Sequence, residues 1–156
     1  MKRSEKAMKL WRAFCAASGT DLALPFQVWH FGNTKEMAAD LGKLVVSGLK
    51  TATGSLVEAN AKRPEETPVL GGLSVVTDLG GEAICVIQTT EIRYLPFDEV
   101  DAEFAYDEGE GDRTYQYWRD VHWTYFSNEA HHLGLEFNER SLICCERFKV
   151  LFVDEL

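Results

Sequence analysis

The chain is predicted to be an α+β domain, and three features carry that expectation. Residues 5–18 and 112–128 repeat apolar side chains at steps of three and four, the mark of helices with one buried face. Residues 73–77 and 82–92 are apolar runs joined through Leu79-Gly80-Gly81, a hairpin signal. Residues 142–153 alternate with the two-residue period of a strand. Helical and strand periods in separate blocks describe a mixed fold.

In chain order, the first helix has Met8, Trp11, Phe14 and Cys15 on its stripe. Pro25 and Gly32 bracket a short apolar segment holding Val28, Trp29 and Phe31. A second helix follows, with Asn33 as cap, Glu36 three residues on, a stripe of Met37, Leu41, Leu44 and Val45, and Gly48 as its stop. Residues 50–57 read as strand. Residues 59–68 are polar, hold two prolines and read as a mobile loop. After the hairpin, Pro96 opens a helical turn over 98–104. The helix from Asp112 to about Asn128 puts Tyr115, Trp118, His122, Tyr125 and Phe126 on one face.

Length and composition fit one domain over 1–156 with a sizeable core. Apolar residues make up 46% and charged residues 26%, ordinary for a globular protein, and no apolar run reaches the roughly 18 residues of a membrane span. The basic start is not followed by a secretory apolar core, so a cytoplasmic location is expected. Cys15, Cys85, Cys144 and Cys145 form no C-x-x-C pair and read as reduced, mostly buried thiols. With His30, His122, His131 and His132 they make no metal-ligand motif, so neither metal nor cofactor is expected. A net charge of −9 without a dense basic cluster disfavours non-specific duplex binding. It leaves a small nucleoside or short single-stranded RNA as the expected partner, and no membrane.

Two stretches carry chemistry. Gly48-Leu49-Lys50-Thr51-Ala52-Thr53-Gly54-Ser55 sets a lysine and three hydroxyls where a helix stops and a strand begins. Lys50 is either a solvated surface group or a base for the Thr53 hydroxyl. If both lay on one regular strand they would face opposite sides, so a bulge or turn at Thr51-Ala52 is needed to unite them. The second stretch runs from Phe104 to Asp112 and packs Asp107, Glu108, Glu110 and Asp112 around two glycines. Asp112 reads as a helix N-cap, while Glu108 or Glu110 is free to face a pocket.

Two further groups stand out. Glu146 falls in phase with Cys144, Phe148 and Val150, where a carboxylate needs a partner. It is either an ion pair at the strand's edge, a bulged residue turned outward, or a pocket group. His122 sits on the apolar face of its helix and is either a satisfied buried histidine or a pocket group.

Together the two stretches resemble the ASCH domain, a family related to the PUA fold. The resemblance runs through Trp29-His30-Phe31-Gly32, the G-x-K-T-x-T element at 48–53, the acidic glycine loop at 108–112, Tyr117-Trp118-Arg119 with His122, and Cys145-Glu146-Arg147-Phe148. It implies a small, strongly curved β-barrel of about five or six strands decorated by helices. It also implies three functional readings. One is an amidohydrolase acting on N4-acylated cytidine, with Lys50 as base, Thr53 as nucleophile and Glu108 as proton donor. The others are a ribonuclease acting on single-stranded RNA and a non-catalytic RNA or modified-nucleotide binding module. Candidate substrate contacts are Trp29, Thr51, Ser55, Glu110, Trp118, Arg119, His122 and Glu146.

Overall fold

The computed structural model describes residues 4–153. The ends of the expected domain, residues 1–3 and 154–156, lie outside the described residues. The elements run α1 (Glu5–Ser18), β1 (Phe26–His30), α2 (Lys35–Ser47), β2 (Ala52–Leu56), α3 (Val57–Lys62), β3 (Leu73–Thr77), β4 (Ala83–Pro96), α4 (Ala102–Glu108), α5 (Tyr115–His132) and β5 (Leu142–Val153). Short 3-10 turns lie at Pro64–Glu66 and Phe97–Glu99. The fold is α+β and PUA-like, a five-stranded curled half-barrel carrying helices.

The strand order is β1-β3-β4-β5-β2. β1 pairs parallel with β3, and every other pairing is antiparallel. β1 and β2 are therefore the two open edges. The long β4 shifts register against β5 at Val86/Ile87 and at Thr89/Glu91. Such shifts bend a strand and let a sheet curl.

Three apolar clusters cover the sheet. α1 packs Trp11 flat on Phe26, ring centres 4.0 Å apart, against Val75 and Val86. α2 brings Val45 onto Val76, Ile87 and Phe148. α4 and α5 bring Phe104, Trp118 and Phe126 onto Ala52, Ile143 and Cys145. Both faces of β5 are thus covered along its first half, which explains why Cys144 and Cys145 are both buried. All four cysteines are free thiols and buried.

Several local expectations are corrected. Thr34, not Asn33, caps α2, its hydroxyl accepting from the Met37 amide. Thr114, not Asp112, caps α5, and Asp112 instead accepts from the Thr114 amide and hydroxyl. Residues 57–62 form a helix, which takes Val57 from the expected strand and 59–62 from the expected loop, and the 3-10 turn that Pro64 opens follows it. β2 starts at Ala52, which leaves Lys50 before the strand.

Candidate functional site

Among the described residues β2 is an edge strand, so alternate peptide groups point away from its one partner, β5. The Ala52 carbonyl and the Gly54 amide face outward, and two charged side chains satisfy them. Lys50 Nζ donates to Ala52 O at 2.8 Å. Gly54 N donates to Glu108 Oε1 at 3.2 Å. The free edge is thereby covered by an ion pair, with Lys50 Nζ 3.2 Å from Glu108 Oε1. Both side chains are 1% exposed. Glu110 Oε2 accepts from the same ammonium at 2.9 Å. The three ammonium hydrogens are taken by Ala52, Glu108 and Glu110, and Phe31 closes the side at 5.3 Å.

The acidic loop reaches this edge through Gly109. It ends α4 at φ 72°, and a Cβ there would fall on the Leu49 carbonyl. Only glycine lets the backbones of the two motifs lie this close. Behind the loop, Trp118 Nε1 donates to Glu108 Oε2, and His122 Nε2 lies 3.1 Å from the same oxygen. His122 Nδ1 donates to Trp118 O at 2.8 Å, and the two rings stack at 4.5 Å. Both imidazole nitrogens face acceptors, the arrangement of a protonated ring.

Electrostatics follow from these contacts. For Lys50, burial opposes the charge, but Glu108 and Glu110 outweigh it and raise the pKa. For His122, burial is likewise outweighed by Glu108, and the pKa rises. For Glu108, burial is outweighed by His122 and Lys50 together with the donors from His122 and Trp118, which hold the carboxyl well below the usual range. Glu146 is different. Burial pushes its pKa up, and the Thr89 hydroxyl and the Lys50 charge offset this only in part. Its Oε2 accepts from Thr89 Oγ1 at 2.5 Å.

A cavity of about 640 Å³ opens beside the cluster. Small-molecule sites fall in roughly the 300–1,000 Å³ range. Trp29, His30 and Phe31 line it from the β1 edge, and Thr53, Gly54 and Ser55 from the β2 edge. The cavity therefore occupies the gap the half-barrel leaves unclosed. α3 adds Asn60, and the residues after it add Arg63; α5 adds His122, Tyr125 and Glu129.

A family model of the ASCH domain matches residues 27–152. The chain belongs to the ASCH domain family. Its fold is similar to that of an ASCH domain from Lactobacillus crispatus JV V101, at TM-score 0.86 and 29% identity over 96% of each chain. It is equally similar to a protein of Enterococcus faecalis V583, at TM-score 0.86 and 31% identity over 96% of this chain and 90% of that one. A hypothetical protein with TM-score 0.52 and 17% identity, over 80% of this chain and 100% of its own, shares the fold alone. No curated protein matches the chain.

In this ASCH domain the two motifs meet at one edge and one cavity. Lys50, Thr53, Glu108, Glu110, His122, Glu146, Trp29 and Ser55 all line it. Ser55 Oγ accepts from Asn60 Nδ2 at 2.9 Å. Three expected contacts lie elsewhere. Thr51 is exposed and donates to Asp107 O. Arg119 pairs with Glu139 at 2.8 Å beside Phe97, away from the cavity wall. Trp118 lies beneath His122 and reaches Glu108 instead of the cavity.

Asn60 and Arg63 went unread because residues 59–68 carried the signature of a loop, and Glu129 because it lies just beyond the predicted end of the long helix at Asn128. Arg63 is held by Glu129 at 2.8 Å and Glu66 at 3.5 Å. Glu108, Glu110 and His122 also offer atoms within 4.8 Å of one another, a spacing that could suit a cation. The Lys50 ammonium already supplies positive charge to both carboxylates. No helix among the described residues is long and apolar enough to cross a membrane.

Proposed function

We propose that this cavity is a hydrolase site for an N4-acylated cytidine, with Thr53 as nucleophile beside the Lys50–Glu108 ion pair. The observation that carries the reading is the state of the Thr53 hydroxyl. It lines the cavity next to the charged cluster and makes no hydrogen bond to another described residue. A hydroxyl left unpaired beside fixed charges is available for attack on a bound carbonyl. Lys50 is held in its charged form by two carboxylates. As a base, Lys50 would first have to pass a proton to Glu108 or Glu110.

The wall supports a neutral ligand over an RNA chain. Six carboxylates line it (Glu66, Glu108, Glu110, Asp120, Glu129 and Glu146) against the two permanent cations Lys50 and Arg63. Such a lining repels phosphates and tolerates a nucleoside. Trp29 offers an apolar face for stacking on the base.

The test is cytidine release from N4-acetylcytidine without added metal, followed by chromatography. Thr53→Ala is expected to lower the rate at least about a hundredfold. Absence of turnover with cleavage of single-stranded RNA would replace this reading by the ribonuclease. Absence of both with salt-sensitive RNA binding would replace it by the binding module.

A further inference from the structure

We propose that Glu146 is the proton-transfer residue of this site, taking the Thr53 hydroxyl proton during attack and returning it to the departing nitrogen. The inference rests on the hydrolase reading above and names a residue which that reading leaves without a role.

The strand register carries it. Thr53 of β2 lies directly opposite Glu146 of β5. Side chains of directly opposed residues share one sheet face, their Cβ atoms about 4.5–5.5 Å apart. A glutamate side chain is long enough to span that gap to a threonine hydroxyl, although in this structure its carboxylate is held by Thr89 and not by Thr53. Both residues line the cavity. Glu146 is 4% exposed, yet its one hydrogen-bond partner among the described residues is the Thr89 hydroxyl. That bond holds one carboxylate oxygen and leaves the other without a protein donor. That second oxygen is open to the cavity, where a ligand or a reacting proton can reach it.

The other two candidates are occupied. Lys50 has each ammonium hydrogen engaged and no lone pair. Glu108 accepts from Lys50, Gly54, Trp118 and His122. Four donors on one carboxylate stabilise its charge and weaken it as a base. Burial acts in the opposite sense at Glu146 and raises its proton affinity, which makes it the stronger base of the two carboxylates.

The steps balance without a further reagent. The Thr53 O–H proton passes to Glu146 as the Thr53 oxygen bonds to the acyl carbon. The tetrahedral species collapses, the carbon–nitrogen bond breaks, and the Glu146 proton goes to the amine nitrogen of cytidine. Water then attacks the threonyl ester and gives a proton to Glu146. That proton returns to the Thr53 oxygen as the carboxylic acid leaves.

The experiment separates this proposal from the substrate assignment by using two acyl donors. Wild-type protein, Thr53→Ala and Glu146→Gln are treated with N4-acetylcytidine and, separately, with p-nitrophenyl acetate. Acetylation at Thr53 is followed by mass spectrometry, and folding is checked by thermal melting. Glu146→Gln keeps shape and an acceptor for Thr89, and is expected to slow Thr53 acetylation by either donor at least about a hundredfold. A smaller loss in a folded variant overturns the proposal. Should Glu146→Gln fail to fold, Glu146→Ala with added formate decides: restored acetylation supports the proposal and none overturns it. Thr53 acetylation by the ester that depends on Glu146, with N4-acetylcytidine untouched, removes the substrate assignment and leaves the proton-transfer role standing. No acetylation of wild-type Thr53 by either donor overturns both.

Discussion

Glu108 and Glu146 face the same cavity and titrate in opposite directions, because one collects donors and the other does not. The consequence for stability differs accordingly. Lys50→Met strips Glu108 and Glu110 of their shared cation, and breaking a buried pair this way costs about 3–5 kcal/mol, measurable by urea unfolding. Glu146→Gln removes a poorly satisfied buried charge, so its unfolding free energy at neutral pH should equal or exceed that of the wild type while activity falls. His122 adds a pH signature. Its folded pKa lies above the ordinary 6.5, so its contribution is complete below 6.5 and is lost as pH rises through the folded value. Glu108 contributes the other way, fully above 4.5 and progressively less as pH falls. The melting temperature should therefore decline with pH above 6.5, and His122→Gln should flatten that slope. An unchanged slope in the variant would show that His122 is not the group responsible. At this scale the sequence was legible in its motifs but not in its charge states. Nothing in the spacing of Lys50 and Glu108 revealed that Trp118 and His122 stand behind the carboxylate.

At the scale of elements, α5, β5 and the β3–β4 hairpin were legible because long runs keep one period and end at glycines or polar turns. Short elements were not. α3 is six residues long and is followed by Arg63 and two prolines, so local composition favoured a loop. Its amide Asn60 and the neighbouring Arg63 reached the cavity unannounced. The question of how Lys50 and Thr53 share a site resolves through the Gly48 cap, which places Lys50 before β2 and lets its side chain return along the edge. The close approach at Gly109 yields a sharp prediction. Gly109→Ala combines a positive φ with a backbone collision, and should cost at least about 2 kcal/mol and displace Glu110 from Lys50. Retained stability in urea would contradict that geometry. Thr114→Ala should cost about 1 kcal/mol through the lost α5 cap, and Asp112→Ala less.

For the whole molecule, the family pattern conveyed the curled sheet, while the order of its edges emerged only from long-range pairing. β1 joins β3 in parallel across more than forty residues, a contact no local period encodes. That order leaves β1 and β2 unpaired on their outer sides, and the gap between them becomes the cavity. A net charge of −9 and a carboxylate-rich wall then set the class of ligand. Turnover of a neutral nucleoside should vary little between low and physiological salt, whereas binding of an RNA strand would weaken steeply. The most direct measurement is cytidine release from N4-acetylcytidine by wild-type protein and by Thr53→Ala, with chelator present. Release by the wild type is expected, with at least about a hundredfold less by the variant at unchanged stability. No release by the folded wild type, or equal release by Thr53→Ala, would contradict the hydrolase reading.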